Sequence, residues 1–349
     1  MEDTEFMRPN IFEIGTKELH QDAFITWLLK YADDKYKVSD TLMNKCGKDF
    51  VKELIKKQIP DFNDEIFEVK AGRQWDNIDV WGKVNKKYLI IIEDKTNTIP
   101  HSNQLSRYKT TAEKWCIENN YKLIYIYLKT GNESQASLKN IIEEGFGIFN
   151  RQDFLNLLSK HDKSDNDIFI DFYERLTRIE KINNEFENKN IGEWEGSDWE
   201  GFFQYLEKEK VLNNWGYVNN PNGGFWSGFL IWVEDGDYPV YIQLEQNKLC
   251  FKISTHKRDG VEIPQNTSRG EIRKEYHDFI INKAKDFGFI YIKRPNRFGN
   301  GNYMTVAIVD SENWLGENNS IVNKEKVIKS LTEYKDFLKT IFSPINTTL

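Results

Sequence analysis

The chain has 349 residues, which is enough for two domains of ordinary size. Hydrophobic residues make up 39% of it, so we expect a substantial core, and a net charge of −7 argues against a protein that coats nucleic acid through a uniformly positive surface. The three cysteines are widely spaced without a CxxC pattern, which argues against a disulfide framework or a zinc site and indicates a reducing compartment. With no signal-peptide pattern and no apolar run of about 18 residues, we expect a cytoplasmic protein that does not enter a membrane.

The first part of the chain alternates between helical and strand-like patterns. Apolar residues at helical spacing predict a helix that Thr16 would cap, a second helix that Pro60 would end, and a third after the strands. Period-two alternation and one β-rich apolar run predict three strands before the third helix and one strand after it. The predicted helices span 18–31, 47–58 and 102–119, and the predicted strands span 65–70, 77–84, 88–95 and 122–128. This α, β, β, β, α, β order predicts an α/β domain with a mixed sheet and a helix on each face.

A polar, glycine-containing segment after residue 187 indicates a domain boundary. We therefore predict one domain over 1–187, with two trailing helices near 151–160 and 165–187, and a second domain over 198–349. Aromatic strands between helices predict an α+β fold for the second domain. Its predicted helices begin at Asp198 and span 269–287 and 323–341, and its predicted strands span 224–234, 238–245 and 248–254, with a further pair in IYIKRP and NYMTVAIV.

The predicted strand 88–95 ends in charged residues. Because successive side chains of a strand point to opposite faces, Glu93 and Lys95 share one face and Asp94 points to the other. A carboxylate that holds a divalent cation, beside an ammonium that orients water or steadies phosphate charge, is what phosphodiester hydrolysis requires. Taken alone, a Glu-x-Lys triplet is weak evidence, because most such triplets are solvated strand ends.

A second carboxylate comes from the preceding strand. A tight turn at 85–87 would pair that strand with 88–95 and bring Asp79 close to Glu93. Two carboxylates, together with water and phosphate oxygens, make an oxygen-rich site suited to Mg²⁺. Asp76 is an alternative ligand, although it precedes the strand.

These residues resemble the signature of the PD-(D/E)XK nuclease superfamily. Its members carry an Asp on the second core strand and Glu/Asp-x-Lys on the third, and the corresponding residues here are Asp79, Glu93 and Lys95, with Ile78 in place of the family's Pro. The resemblance covers about residues 10 to 130. It implies a restriction-endonuclease-like αβββαβ core and a metal-dependent nuclease that hydrolyses phosphodiester bonds, with Mg²⁺ as the cofactor and Mn²⁺ as an alternative.

Further residues resemble a subgroup. Gln104 and Tyr108 lie four apart on one helical face, and RecB-like members have a Gln and a Tyr at this spacing that line the site. Glu18 resembles an acidic residue that many members supply as an extra metal ligand, and His20 could contact phosphate. The simpler alternatives are that Glu18 only favours the helix dipole and that Gln104 and Tyr108 face water.

The resemblance also bears on the substrate. DNA is favoured over RNA, and defence against foreign DNA is a role that such bacterial members imply. Enzymes of this kind that cut both strands often act as homodimers, although no interface is legible in the sequence. The rival interpretation is a non-catalytic nucleic-acid-binding or scaffold protein that retains the nuclease fold.

The second domain contains one basic segment of interest, IKRPNRFGNGNY. It places Lys293, Arg294 and Arg297 beside Phe298, a combination that could contact nucleic acid and could equally be a solvated hairpin. The clustered aromatics between Trp215 and Trp232 are ordinary core residues or, alternatively, a surface on which bases stack.

Overall fold

The computed structural model describes residues 8–98, 104–220, 223–234 and 237–342, and it divides into two compact units. The first unit comprises Met1–Glu133 and Ser137–Lys181, and the second comprises Ser134–Ala136 and Ile182–Leu349. The first unit contains a mixed five-stranded sheet and the second an antiparallel five-stranded sheet. The predicted fold class, an α/β core with a mixed sheet followed by an α+β domain, is confirmed.

The first sheet has the strand order β1-β2-β3-β4-β5, in which β1, β2 and β3 are antiparallel neighbours and β4 and β5 run parallel to β3. The elements of this part of the chain are α1 Ile11–Ile14, α2 Glu18–Tyr31, α3 Thr41–Lys56, β1 Val69–Trp75, β2 Ile78–Val84, β3 Tyr88–Lys95, α4 Gln104–Asn119, β4 Lys122–Lys129, α5 Gln135–Glu143, β5 Gly147–Asn150, α6 Arg151–Leu158 and α7 Asp167–Asn184. The order α2, β1, β2, β3, α4, β4 is the predicted core, whereas α5 and β5 were not predicted.

Two tight turns set the register of the first three strands. Asp76 and Asn77 connect β1 to β2 with φ angles of 50° and 70°, the left-handed conformation that two-residue hairpin turns favour. The predicted turn after β2 is confirmed, and Asn85 and Lys86 adopt positive φ there. Because both turns are short, β2 is held between β1 and β3, and the ends of β2 and β3 are brought side by side.

The prediction of a strand over 65–70 was wrong, because β1 begins at Val69. The Asn85 side chain accepts hydrogen bonds from the backbone N–H groups of Phe67 and Glu68, each at 3.1 Å. These bonds hold the preceding segment in an extended conformation without a strand partner. The true strand is largely polar, as expected at a sheet edge, so its sequence gave a weak signal.

Strand β3 is buried along its whole length, because helices cover both faces of the sheet. Ile90 and Ile92 pack with the buried side chains of α2 and α3, whereas Leu89 and Ile91 pack with those of α4. This alternation explains why β3 reads as a continuous apolar run rather than an alternating one. It also determines which side each charged residue at the strand end faces.

One predicted helix cap and one predicted helix start differ from the structure. Helix α2 begins at Glu18 as predicted, but its N-cap is Lys17 without a side-chain hydrogen bond, so the predicted Thr16 cap is wrong. Helix α3 begins at Thr41 rather than at 47, because the Asp40 carboxylate accepts a hydrogen bond from the backbone N–H of Met43 at 2.9 Å.

The second unit has the antiparallel strand order β10-β9-β8-β7-β6. Helices α8, α9 and α10 contribute their buried apolar side chains to one core cluster together with one face of this sheet. The predicted strand in IYIKRP was wrong, because that segment forms only an isolated bridge between Lys293 and Ile308. The elements are α8 Gly196–Lys208, β6 Asn214–Val218, β7 Phe225–Val233, β8 Val240–Glu245, β9 Lys248–Ser254, α9 Arg269–Asp286, β10 Tyr303–Asp310 and α10 Lys324–Phe342. Within the described residues, no helix is both long and apolar enough to cross a lipid bilayer.

Helices α2 and α3 cross at Gly47, and this contact generates a prediction. A Cβ atom at Gly47 would lie 2.6 Å from the backbone oxygen of Leu28 and 2.7 Å from the backbone nitrogen of Ala32. Although alanine gains about 1 kcal/mol of helix propensity over glycine, this clash with backbone outweighs the gain. We expect Gly47→Ala to lower the free energy of unfolding by about 1–3 kcal/mol in urea titrations of the full chain.

The matched control is Gly82→Ala on β2, where the nearest atom to a new Cβ is a Leu29 methyl carbon at 3.6 Å. That substitution makes an ordinary contact and is expected to change stability by less than about 1 kcal/mol. Equal stability of Gly47→Ala and the wild type would contradict the close helix crossing.

Candidate active site

The ends of β2 and β3 bring two acidic residues together. The last paired residues of these strands are Val80 and Ile92, so Asp79 and Glu93 lie one step beyond them on adjacent strands. The backbone N–H of Asp94 donates a hydrogen bond to Oδ2 of Asp79 at 3.2 Å, which ties the Asp79 carboxylate to the end of β3. The hairpin therefore places Asp79 and Glu93 next to each other, as predicted.

Lys95 is the centre of the cluster. Its ammonium nitrogen lies 2.5 Å from Oε1 of Glu93, 3.7 Å from Oδ2 of Asp79 and 3.9 Å from Oε2 of Glu18. Only 8% of the Lys95 side chain is exposed, so water screens these charges weakly. One buried ammonium is thus surrounded by carboxylates from α2, β2 and β3.

Glu18 also holds the chain that follows β3. Its Oε1 atom accepts hydrogen bonds from the backbone N–H of Thr96 at 3.0 Å and from the hydroxyl of Thr98 at 2.7 Å. The first residue of α2 is therefore fixed to the segment after the charged strand end. Glu18 does more here than favour a helix dipole.

The charges in this cluster are unbalanced. Burial, reinforced by the negative charge of Asp79, raises the pKa of Glu93 to about 8, although Lys95 opposes this shift. Burial disfavours the charge of Lys95, but the nearby carboxylates of Glu93, Asp79 and Glu18 outweigh burial and raise the pKa of the ammonium. Negative charge therefore exceeds what one lysine can neutralise.

Helix α4 supplies the predicted pair on the same side of the sheet. The Gln104 amide donates a hydrogen bond to the Tyr108 hydroxyl at 2.8 Å. Tyr108 is buried, and burial together with the nearby charges of Glu93 and Asp79 raises the pKa of its hydroxyl. Tyr108 therefore faces the cluster, and Gln104 is bonded to it rather than directed only to water.

The opposite face of β3 carries a second polar group that the sequence did not reveal. Oδ1 of Asp94 accepts a hydrogen bond from the Gln21 amide at 2.6 Å, and Oε1 of Gln21 accepts one from the Thr130 hydroxyl at 2.7 Å. Burial and the charge of Asp22 raise the pKa of Asp94 well above its usual range, and burial raises the pKa of Asp22 to about 6. This network fixes the end of β3 to α2 and to the chain after β4.

A signal for this network was present in α2. Gln21 and Asp22 lie three and four positions after Glu18, which places them near one another on the helix surface. The predicted direction of Asp94, away from Glu93, agrees with its contact to Gln21. What the sequence lacked was the partner Thr130, which only the parallel pairing of β3 and β4 brings near.

The residues at the charged strand end fit a divalent cation. Among the described residues, no group of three or more His, Cys, Asp and Glu side chains is already arranged to hold a metal ion, because the carboxylates converge on Lys95 instead. The Glu93 carboxylate is nevertheless fully buried, and the Lys95 ammonium, 2.5 Å from its Oε1 atom, is the cation beside it. Adjacent oxygen ligands with an excess of negative charge are the donors that Mg²⁺ and Mn²⁺ prefer.

The three predicted nucleic-acid contacts, Lys293, Arg294 and Arg297, lie in the second unit. Lys293 forms an ion pair with Asp310, while the Arg294 guanidinium lies 4.6 Å from the centre of the Phe298 ring. Arg297 is exposed. Their binding of nucleic acid stays a prediction. His20 is exposed on α2, and Asp76 lies in the turn between β1 and β2.

Comparison with known proteins identifies the family. A family model described as the PD-(D/E)XK nuclease superfamily matches residues 9–194, which is more than half of the chain. No curated protein sequence and no solved structure gave a significant match. The matched range contains the cluster around Lys95 and all five strands of the mixed sheet. The chain therefore belongs to the PD-(D/E)XK nuclease superfamily.

Proposed function

We propose that this protein is a metal-dependent nuclease that hydrolyses phosphodiester bonds, with its active centre at Asp79, Glu93 and Lys95. The observation that carries the proposal is the buried ammonium of Lys95 within 4 Å of carboxylates from three separate elements. A fold kept only for binding has no need of such a charge cluster, because burying it costs stability. Membership of the nuclease superfamily supports the same conclusion.

Each residue of the cluster has a role in this proposal. Asp79 and Glu93, aided by Glu18, would hold Mg²⁺ or Mn²⁺. The bound ion would polarise the scissile phosphate and lower the pKa of attacking water. Lys95 would orient that water and steady negative charge on phosphate, because its ammonium stays protonated beside the carboxylates. Gln104 and Tyr108 would position substrate from the α4 side of the sheet.

DNA is the proposed substrate by family analogy, and the proposed role is defence against foreign DNA in the cytoplasm. Lys293, Arg294 and Arg297 are proposed as nucleic-acid contacts of the second unit. A homodimer is proposed as the arrangement that would cut both strands. The second candidate function, a scaffold that binds nucleic acid without cleaving it, predicts no metal-dependent cleavage of any substrate.

The first prediction concerns cleavage. Purified protein should cut plasmid, linear duplex or single-stranded DNA with Mg²⁺ or Mn²⁺ and should not cut with EDTA. Lys95→Ala and Asp79→Asn should each lower the rate at least about 100-fold, because they remove charge from the reacting centre.

Lys86→Ala is the control, since this exposed lysine lies in the β2–β3 turn of the same hairpin. It should cut as fast as the wild type. Survival of every substrate in the presence of metal, or full activity of the Lys95 and Asp79 variants, would overturn the nuclease assignment.

The second prediction concerns stability and metal. Lys95→Met leaves the carboxylates of Glu93, Asp79 and Glu18 without their counter-charge and should cost on the order of 3 kcal/mol of unfolding free energy. Mg²⁺ at about 100 times its dissociation constant should return about 2.7 kcal/mol, as measured by urea unfolding with and without the ion.

Lys57→Met is the matched control, because Lys57 pairs with a single carboxylate, that of Asp153, at 2.9 Å. Its stability should not depend on Mg²⁺ beyond the wild-type response. If Mg²⁺ leaves the stability of Lys95→Met unchanged, the carboxylates around Lys95 are not the metal site.

The third prediction concerns α4. Tyr108→Phe removes the hydroxyl that accepts the Gln104 hydrogen bond and should slow cleavage about tenfold, while stability falls by only about 1 kcal/mol. Tyr125→Phe, which removes a hydrogen bond of 2.6 Å to Glu113 on the same helix, should leave the rate unchanged. A wild-type rate for Tyr108→Phe would exclude its hydroxyl from the site.

A further inference from the structure

One face of the second unit's sheet carries a row of aromatic side chains. Trp232 and Tyr241 are direct partners on β7 and β8, and their rings stack with centroids 5.2 Å apart. Phe229 stacks on Tyr241 at 5.5 Å, and Tyr303 of β10 meets Tyr241 edge-on at 6.4 Å. We call these four residues the aromatic face.

The aromatic face lies on the side of the sheet opposite to the helices. Leu230, Ile242 and Ile253 belong to the core cluster that contains the buried residues of α8, α9 and α10. Tyr241 is buried, and the rings of Phe229, Trp232 and Tyr303 are partly exposed. The aromatic face therefore presents three partly exposed rings on this side of the sheet.

Cationic groups adjoin this face at the Tyr303 end. Arg258 lies 5.5 Å from the Tyr303 ring centre, and its Nε donates a hydrogen bond of 2.8 Å to the Tyr303 hydroxyl. The His256 ring also stacks on Tyr303, with centroids 5.7 Å apart. Because 70% of the Arg258 side chain is exposed, its remaining donors face solvent.

Three further arginines lie at the start of α9 and in the loop before β10. Arg269 donates to Oδ1 of Asn302 at 2.8 Å. The guanidinium groups of Arg273 and Arg294 lie 4.5 Å and 4.6 Å from the centre of the Phe298 ring. Ring contacts of this kind hold guanidinium groups in place, and a guanidinium is a strong partner for phosphate. We call Arg258, Arg269, Arg273 and Arg294 the arginine rim.

The local charge is opposite in sign to that of the whole protein. Residues 252–302 contain eleven Lys and Arg but six Asp and Glu, within a chain of net charge −7. Three acidic groups near the face are already engaged, since Glu245 pairs with Lys252, Asp310 pairs with Lys293, and Asp259 accepts from Ser254. The surface therefore complements a polyanion.

We propose that the aromatic face and the arginine rim together bind single-stranded nucleic acid, with bases on the rings and phosphates on the arginines. Nucleic acid as the ligand rests on the proposed function, and the new element is that its nucleotides are unpaired. Bases inside a duplex are stacked on each other and cannot reach a sheet face. Exposed aromatic rings beside arginines contribute affinity only when bases are free to stack on them.

The test is binding of a fluorescein-labelled 20-nucleotide oligothymidylate and of a 20-base-pair duplex to the full chain. Fluorescence anisotropy at one fixed, low salt concentration in EDTA keeps both probes intact. The wild type should bind the single strand more tightly than the duplex. Tyr303→Leu should weaken single-strand binding about tenfold and leave duplex binding within twofold, because stacking contributes only to the single strand.

Arg258→Gln and Arg294→Gln test the rim without disturbing the core, since both side chains are exposed. Each should weaken binding of both probes at least threefold, because each removes a cation that would contact phosphate. Lys329→Gln, an exposed lysine of α10 in the same unit, is the control and should bind as the wild type. Circular dichroism verifies that Tyr303→Leu is folded.

Unchanged single-strand affinity in Tyr303→Leu and in both rim variants would overturn the proposal, as would tighter binding of the duplex by the wild type. The proposed function is tested separately, by an assay of metal-dependent cleavage. Strand binding that depends on Tyr303, without any cleavage, would sustain this inference and reject the nuclease. Metal-dependent cleavage, together with single-strand affinity that none of the three variants changes, would support the nuclease and reject this inference.

Discussion

The ammonium of Lys95 holds together the part of the protein on which its chemistry depends. It sits among carboxylates of Glu93, Asp79 and Glu18, which come from β3, β2 and α2. Acidic groups this close repel one another, and the fold must supply positive charge to keep them together. Lysine supplies part of that charge, and the raised pKa of Glu93 indicates that a further cation would be stabilising. The same shortage of positive charge at this cluster therefore affects both the stability of the fold and its proposed binding of a metal ion.

Two hydrogen bonds to α2 hold the end of β3. Glu18 accepts one from the backbone N–H of Thr96, and the Gln21 amide donates one to Asp94. Because β3 is buried along its length, neither face can shift without breaking apolar packing. Such rigidity is what a metal-dependent reaction requires, since its ligands must keep their positions as charge develops. The second unit, with its aromatic face and arginine rim, carries features suited to holding a polyanion instead.

Much of the core could be predicted because its signals are local. Sequence spacing alone predicts the apolar run of β3 and the turn after β2. It also predicts that Glu93 and Lys95 lie on the same face of β3, and all three predictions agree with the structure. The start of β1 could not be predicted, because the segment before it is hydrogen-bonded to the side chain of Asn85, which is distant in sequence. The network of Asp94, Gln21 and Thr130 was missed for the same reason, since it depends on the parallel pairing of β4 with β3. In the second unit the aromatic strands were predicted, but which rings pack in the core and which face outward depends on register.

The most direct test of the electrostatic account is a crystal structure of the protein with Mn²⁺, in which anomalous scattering locates the ion. The account predicts a Mn²⁺ peak bonded to carboxylate oxygens of Asp79 and Glu93, with the Lys95 ammonium moved away from Glu93 and still close to the site. A peak elsewhere, or a saturating Mn²⁺ concentration that leaves the Lys95–Glu93 ion pair intact and the carboxylates without metal, would contradict it.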